Sequence, residues 1–122
     1  PIQVFLNKVG DRRPLGMGSA TLSILAALPE DEAEAILSHN EEEILFVLKT
    51  DFSAVRTFLE QARRNGYALS HGMLLQETIG VSHVLRMGNE VIGSIAVDAV
   101  HTAQWDRDQP LIIKALRDAL LA

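Results

Sequence analysis

The chain of 122 residues contains no cysteine. That excludes disulfides, thiolate zinc sites and cysteine nucleophiles, and it fits a reducing, cytoplasmic setting. Aromatic residues are scarce, with one Trp, one Tyr and four Phe. Basic residues are in the minority: eleven Lys and Arg against sixteen Asp and Glu, for a net charge of -5. This balance argues against a chain that itself grips a phosphate backbone, which needs a basic face. The pairs Arg12-Arg13 and Arg63-Arg64 form no stripe. Long apolar runs are also missing. The longest, residues 24–28 and 44–48, are far too short to span a bilayer. No basic-then-apolar leader precedes them, and Pro1 opens directly in an apparent strand, so the chain reads as a piece of a longer protein.

What is present suffices for one domain with a real core, since 48% of the residues are apolar and 22% charged. Residues 2–6 alternate as a strand. A glycine-bearing loop over residues 10–18 leads into Gly18-Ser19-Ala20-Thr21, with Ser19 expected as the N-cap of a short apolar helix ending near Leu28. Pro29 and the acids Glu30, Asp31 and Glu32 suit the start of a second helix, expected to reach Ser38 and close at His39-Asn40. Residues 41–49 fit either a short strand or a helical turn. Asp51 is the expected N-cap of a third helix, whose Phe52, Val55, Leu59 and Ala62 form one stripe and whose exit is Asn65-Gly66.

Strands are then expected over residues 67–69, 78–87 and 91–97, with Gly88-Asn89 as the hairpin turn. Ile92, Ser94, Ala96 and Asp98 fall on one face of the last strand. Asp108-Gln109-Pro110 marks the expected start of a final helix with Leu111, Ile112, Ala115, Leu116, Ala119 and Leu120 as its apolar face. Trp105 is read as a staple for that helix. The sum is an α+β domain with helices packed on a mostly antiparallel sheet.

Enzyme signatures are weak. Gly16-Met17-Gly18-Ser19-Ala20 lacks the glycine spacing of a nucleophile elbow, the third glycine of a dinucleotide fingerprint and a Walker lysine. His39, His71, His83 and His101 show no short metal spacing, and Glu41-Glu42-Glu43 reads as a solvated acidic face. The helix start at Ser19-Ala20 is a ready anion site, because first-turn N–H groups lack partners within the helix. Thr78 and Ser82 place small polar groups in the hairpin. Asp98 ends an apolar strand and needs a partner if it faces a pocket.

The order of five segments carries a resemblance. Gly10-Asp11-Arg12-Arg13-Pro14-Leu15, Gly18-Ser19-Ala20-Thr21, Leu25-Ala26-Ala27-Leu28-Pro29-Glu30, Ala62-Arg63-Arg64-Asn65-Gly66-Tyr67-Ala68 and Val91-Ile92-Gly93-Ser94-Ile95-Ala96-Val97 together resemble the effector-binding domain of IclR-family bacterial transcription regulators. The resemblance spans nearly all of residues 1–122. It implies a GAF-like fold, no enzymatic activity, no cofactor and no resident metal. The implied partners are a small effector, an organic or aromatic acid, and further copies of the chain in a homodimer or homotetramer. DNA would be contacted only through a winged helix-turn-helix domain outside this chain, and no membrane would be involved. The implied ligand-binding residues are Phe5, Arg13, Ser19, Ala20, Ser70, Thr78, Ala96 and Asp98. The chain departs from the family's helix start of small residue, glycine and lysine, carrying Ala20, Thr21 and Leu22 there. An oligomerisation module that has lost its effector is the alternative that this departure suggests.

Overall fold

The computed structural model describes residues 8–48, 51–73 and 75–121. The elements run α1 (Ser19–Ala27), α2 (Glu30–Leu48), α3 (Phe52–Asn65), β1 (Ala68–His71), β2 (Thr78–Met87), β3 (Glu90–Val100) and α4 (Ala103–Leu121). The strands form an antiparallel sheet in the order β1-β2-β3. The strand expected over residues 2–6 lies outside the described residues.

Helix α1 lies directly on the sheet, α3 packs against both α1 and β1, and α2 packs against α1. Its Leu22 and Leu25 are fully buried in one core cluster with Leu37 and Ile44 of α2 and Val55 and Leu59 of α3. Each such side chain contributes roughly 1.5–3 kcal/mol on burial. Helix α4 covers the opposite sheet face, where Trp105 and Leu116 pack on Ile79 and Val81. Trp105 Nε1 donates to Gln109 Oε1 at 2.9 Å, so the indole is a staple as the sequence suggested.

Two helix boundaries correct the sequence reading. Helix α2 does not stop at Ser38 but continues to Leu48. Ala33, Leu37 and Ile44 lie on one buried stripe that holds the helix against the core past His39-Asn40. Asn40 does not cap; its side chain donates to Leu15 O at 3.2 Å and ties the glycine-bearing loop to α2. Helix α4 begins at Ala103, not at Asp108. Thr102 Oγ1 accepts from Trp105 N at 3.1 Å, and burial of Trp105 fixes this first turn. Pro110 therefore stands inside the helix, exposed.

The third helix follows its sequence signals. Asp51 Oδ1 accepts from Ser53 N at 2.9 Å, and that bond holds the Asp51 carboxyl below its ordinary pKa. Gly66 leaves the helix at φ 77°, a left-handed conformation that glycine adopts without a Cβ penalty.

Candidate functional site

The hairpin's register builds the floor of the site. Ser70 pairs with Gly80 and Gly80 with Asp98, so these three residues form one row across β1, β2 and β3. One strand position is thus small and polar, one is bare backbone and one is acidic. The neighbouring positions on the same face of β2 are Thr78 and Ser82. Thr78 Oγ1 is occupied by Leu75 O at 2.7 Å. Ser82 is fully buried and donates to Ser19 O at 2.7 Å.

The same face holds the N-terminus of α1. Besides the Ser82 bond, Ser94 Oγ donates to Ala20 O at 2.9 Å. Two strand hydroxyls thus fix the first turn of the helix over the sheet. The helix start itself differs from the sequence reading. Gly18, at φ 98° and ψ 162°, is the N-cap and offers no side-chain capping bond. Its N–H donates to the sulfur of Met73 at 3.1 Å. Thr21 Oγ1 turns back to accept from Gly16 N at 3.1 Å and donate to Gly18 O at 2.9 Å.

Ser19 is consequently the first helical residue rather than the cap. It is 3% exposed, and its Oγ is buried without a hydrogen-bond partner among the described residues. Buried hydroxyls are nearly always paired, and this one is an exception. The Oγ overhangs Gly80: a Cβ built on Gly80 would lie 2.8 Å from Ser19 Oγ and would collide with Asp98 Oδ1. The absence of a side chain at residue 80 is what lets these two groups converge.

Asp98 is exposed as a residue, yet its carboxyl turns inward over Gly80. Desolvation there raises its pKa from the ordinary aspartate value. The resulting pocket has an open volume of about 510 Å³, solvent mouth included. Its walls contain Arg13, Ser19, Ala20, Ser70, Thr78 and Asp98. Six of the eight residues singled out from sequence therefore come together. Ala96 does not line the pocket; it pairs with Ser82, one step along the sheet. Phe5 lies outside the described residues. Met17, Gly18, Thr21, Met73, Ile79 and Gly80 complete the described lining; of these, Gly80, Met17 and Met73 carry no sequence signal as pocket residues beyond the glycine itself. A glycine between two apolar residues, Ile79 and Val81, was the one available signal.

Chemically, the pocket offers first-turn N–H groups at the positive end of a nine-residue helix, one unpaired hydroxyl and one carboxyl. Among the described residues, no nucleophile and base are paired in it. The histidines do not enter it. His71, on the face of β1 opposite to Ser70, meets His101 edge to face at 4.4 Å, with His101 Nε2 2.7 Å from Asp106 Oδ1. Among the described residues, no cluster of His, Asp or Glu has the grouping needed for a metal ion. Among the same residues, no helix is long and apolar enough to cross a membrane.

Residues 4–122 match the family described as bacterial transcriptional regulator IclR, C-terminal. A search of curated protein sequences finds no significant match. Solved structures are similar throughout the fold. The C-terminal domain of a protein assigned as a transcriptional regulator from Vibrio cholerae is 25% identical, with a TM-score of 0.66 over 88% of this chain and 62% of that one. An IclR homologue from Microbacterium hydrocarbonoxydans, complexed with 4-hydroxybenzoate, is 22% identical, with a TM-score of 0.67 over 98% of this chain and 48% of that one. A double mutant of the PobR inducer-binding domain from Acinetobacter, complexed with 3-hydroxybenzoic acid, is 21% identical. Its TM-score is 0.62 over 89% of this chain and 64% of that one. This chain thus spans less than two thirds of each of these three. With the matched family, the antiparallel sheet and its flanking helices in agreement, the chain belongs to the IclR family of transcription regulators and is an effector-binding, non-enzymatic C-terminal domain.

Proposed function

We propose that this domain senses a small organic acid in the pocket between α1 and the hairpin. The observation that carries the reading is Ser19 Oγ, buried and unpartnered above Gly80 and beside Asp98. A ligand carboxylate accepts from the N–H groups of Ser19 and Ala20 and from the Ser19 hydroxyl. Asp98 accepts from a hydroxyl or amine at the ligand's other end. Aromatic hydroxy acids have this polarity, and the ligands of the Microbacterium and Acinetobacter relatives support that class. Arg13 lines the mouth and adds positive charge for an incoming anion. Occupancy is coupled to DNA through a winged helix-turn-helix domain outside this chain, within a cytoplasmic homodimer or homotetramer.

A thermal-shift panel of aliphatic acids, aromatic acids and lactones tests the reading. A ligand that binds only the folded state stabilises by about 2.7 kcal/mol at a hundredfold excess over Kd. One chemical class is expected to raise Tm in proportion to the logarithm of its concentration. Ser19→Leu is expected to remove the rise, and an unchanged rise in that variant overturns the placement. Silence across the panel from a folded dimer favours the ligand-free oligomerisation module.

A further inference from the structure

A second cleft lies at the other end of α1 and is independent of the effector reading. Helix α1 crosses the sheet so that its N-terminus overlies Gly80 while Ser23, Ala26 and Ala27 border a separate hollow of about 400 Å³ open volume. The exit of α3 and the end of β2 close it, with Arg63 on one side and Val84 and Arg86 on the other. Arg63 is the unusual group. Its side chain is only 18% exposed, and its Nη1 is held by Glu60 Oε1 at 2.8 Å and approached by Glu30 Oε1 at 3.7 Å. Its Nη2 is buried and has no hydrogen-bond partner among the described residues. A buried guanidinium N–H without an acceptor is costly, more so than a neutral donor.

We infer that this cleft is a second ligand site, one that takes an organic carboxylate with a short apolar body. Arg63 Nη2 supplies the buried donor, and Arg86 supplies a second guanidinium from β2. Planar guanidinium groups match a carboxylate's two oxygens better than any other side chain. Ala26, Ala27, Ala62 and Val84 give the ligand's body an apolar wall. The glutamates engage Nη1, not Nη2, and both are mostly open to solvent. Glu60, Glu30 and the C-terminus of α1, which carries roughly half a negative charge, offset the two guanidinium charges, so the site rests on the directed Nη2 donor and not on net charge.

Titration of the 15N-labelled chain with benzoate at constant ionic strength, read on the arginine Nε–Hε resonances, tests the site. Saturable shifts of Arg63 and Arg86 with one common Kd are expected. Arg86→Gln, at an exposed position, is expected to weaken binding about tenfold, and Arg63→Lys, which keeps the charge but loses the fork, by a similar factor. Ser19→Leu, which closes the other pocket, is expected to leave both shifts in place. Shifts that grow linearly and are matched by chloride overturn the site. So does their loss in Ser19→Leu, which assigns them to the effector pocket. Inorganic phosphate binding as tightly as benzoate overturns the organic class, because the apolar wall then contributes nothing.

Discussion

Ser19 Oγ stands 2.8 Å from the point that a Cβ on Gly80 would occupy. A helix start and a central strand therefore approach each other so closely that the space above residue 80 is filled by the Ser19 hydroxyl. Gly80→Ala is expected to cost about 1–3 kcal/mol through overpacking. The methyl group also fills the floor of the pocket, so the variant should lose any effector-induced rise in Tm while remaining folded. Paired melting curves with and without effector check both parts. An alanine variant that is as stable as the parent and still responds would show that residue 80 does not shape the pocket.

Ser19→Ala separates packing from binding. The side chain is buried and its hydroxyl unpaired, so removing the oxygen relieves a desolvation penalty. The free domain is expected to gain on the order of 1 kcal/mol, while its affinity for a carboxylate effector falls about tenfold. Denaturant unfolding and calorimetric titration read the two effects separately. Loss of stability in the alanine variant would mean that the hydroxyl already has a partner in solution.

Ser82 tests how the helix start is positioned. Its hydroxyl donates to Ser19 O in a fully buried setting. Ser82→Ala is expected to destabilise the domain by about 1–2 kcal/mol. Loosening the first turn of α1 should also weaken effector binding, though residue 82 does not line the pocket. Binding that is untouched at reduced stability would show that Ser94, through its bond to Ala20 O, suffices to hold the turn.

Asp98 predicts a pH signature. Its folded pKa is raised by desolvation, so the folded state holds its proton to higher pH than the unfolded chain. Asp98 therefore costs stability as pH rises through the window between its unfolded and folded pKa values, and the cost persists above it. Asp98→Asn is expected to match the parent below the unfolded aspartate pKa and to melt higher at neutral pH. Melting curves from acid to neutral pH check this, and parallel curves for the two proteins throughout would remove Asp98 from the pocket's electrostatics.

Legibility in the sequence followed range. The cap at Asp51, the exit at Gly66 and the hairpin turn are local signals, and each stands where its residues indicated. The limits of α2 and α4 are set by tertiary contacts instead. Ile44 extends α2 because the glycine-bearing loop packs on it: a Cβ on Gly16 would meet Ile44 Cδ1 at 2.7 Å. Nothing near His39 in the chain announces that contact. The pocket divides in the same way. Small and polar residues at helix and strand ends pointed to Ser19, Thr78 and Asp98. Gly80 escaped notice because its role exists only once β2 passes beneath α1. Serine prefers the cap position, which is why the sequence points to Ser19 there. Gly18 took it instead, which left the serine hydroxyl unpaired.

Pro110 shows how a strong local preference was overruled. Proline favours a first helical turn, yet here it stands eight residues into α4, where it removes the N–H that would bond Asp106 O. The helix persists because Trp105, one turn earlier, is buried among Ile79, Val81 and Leu116, and because Thr102 caps the start. Interior proline costs a helix about 3 kcal/mol relative to alanine in the general case. Pro110→Ala is expected to recover about 1–3 kcal/mol of that, since residue 110 is exposed and no packing is lost. Trp105→Ala in the parent should destabilise by about 3–5 kcal/mol. In the Pro110→Ala background the first turn of α4 no longer depends on the indole alone, so the loss should be smaller. Chemical unfolding of the two single variants and the double variant measures this coupling. Strict additivity would show that the tryptophan and the proline act independently, and that something other than the staple carries the helix through its missing hydrogen bond.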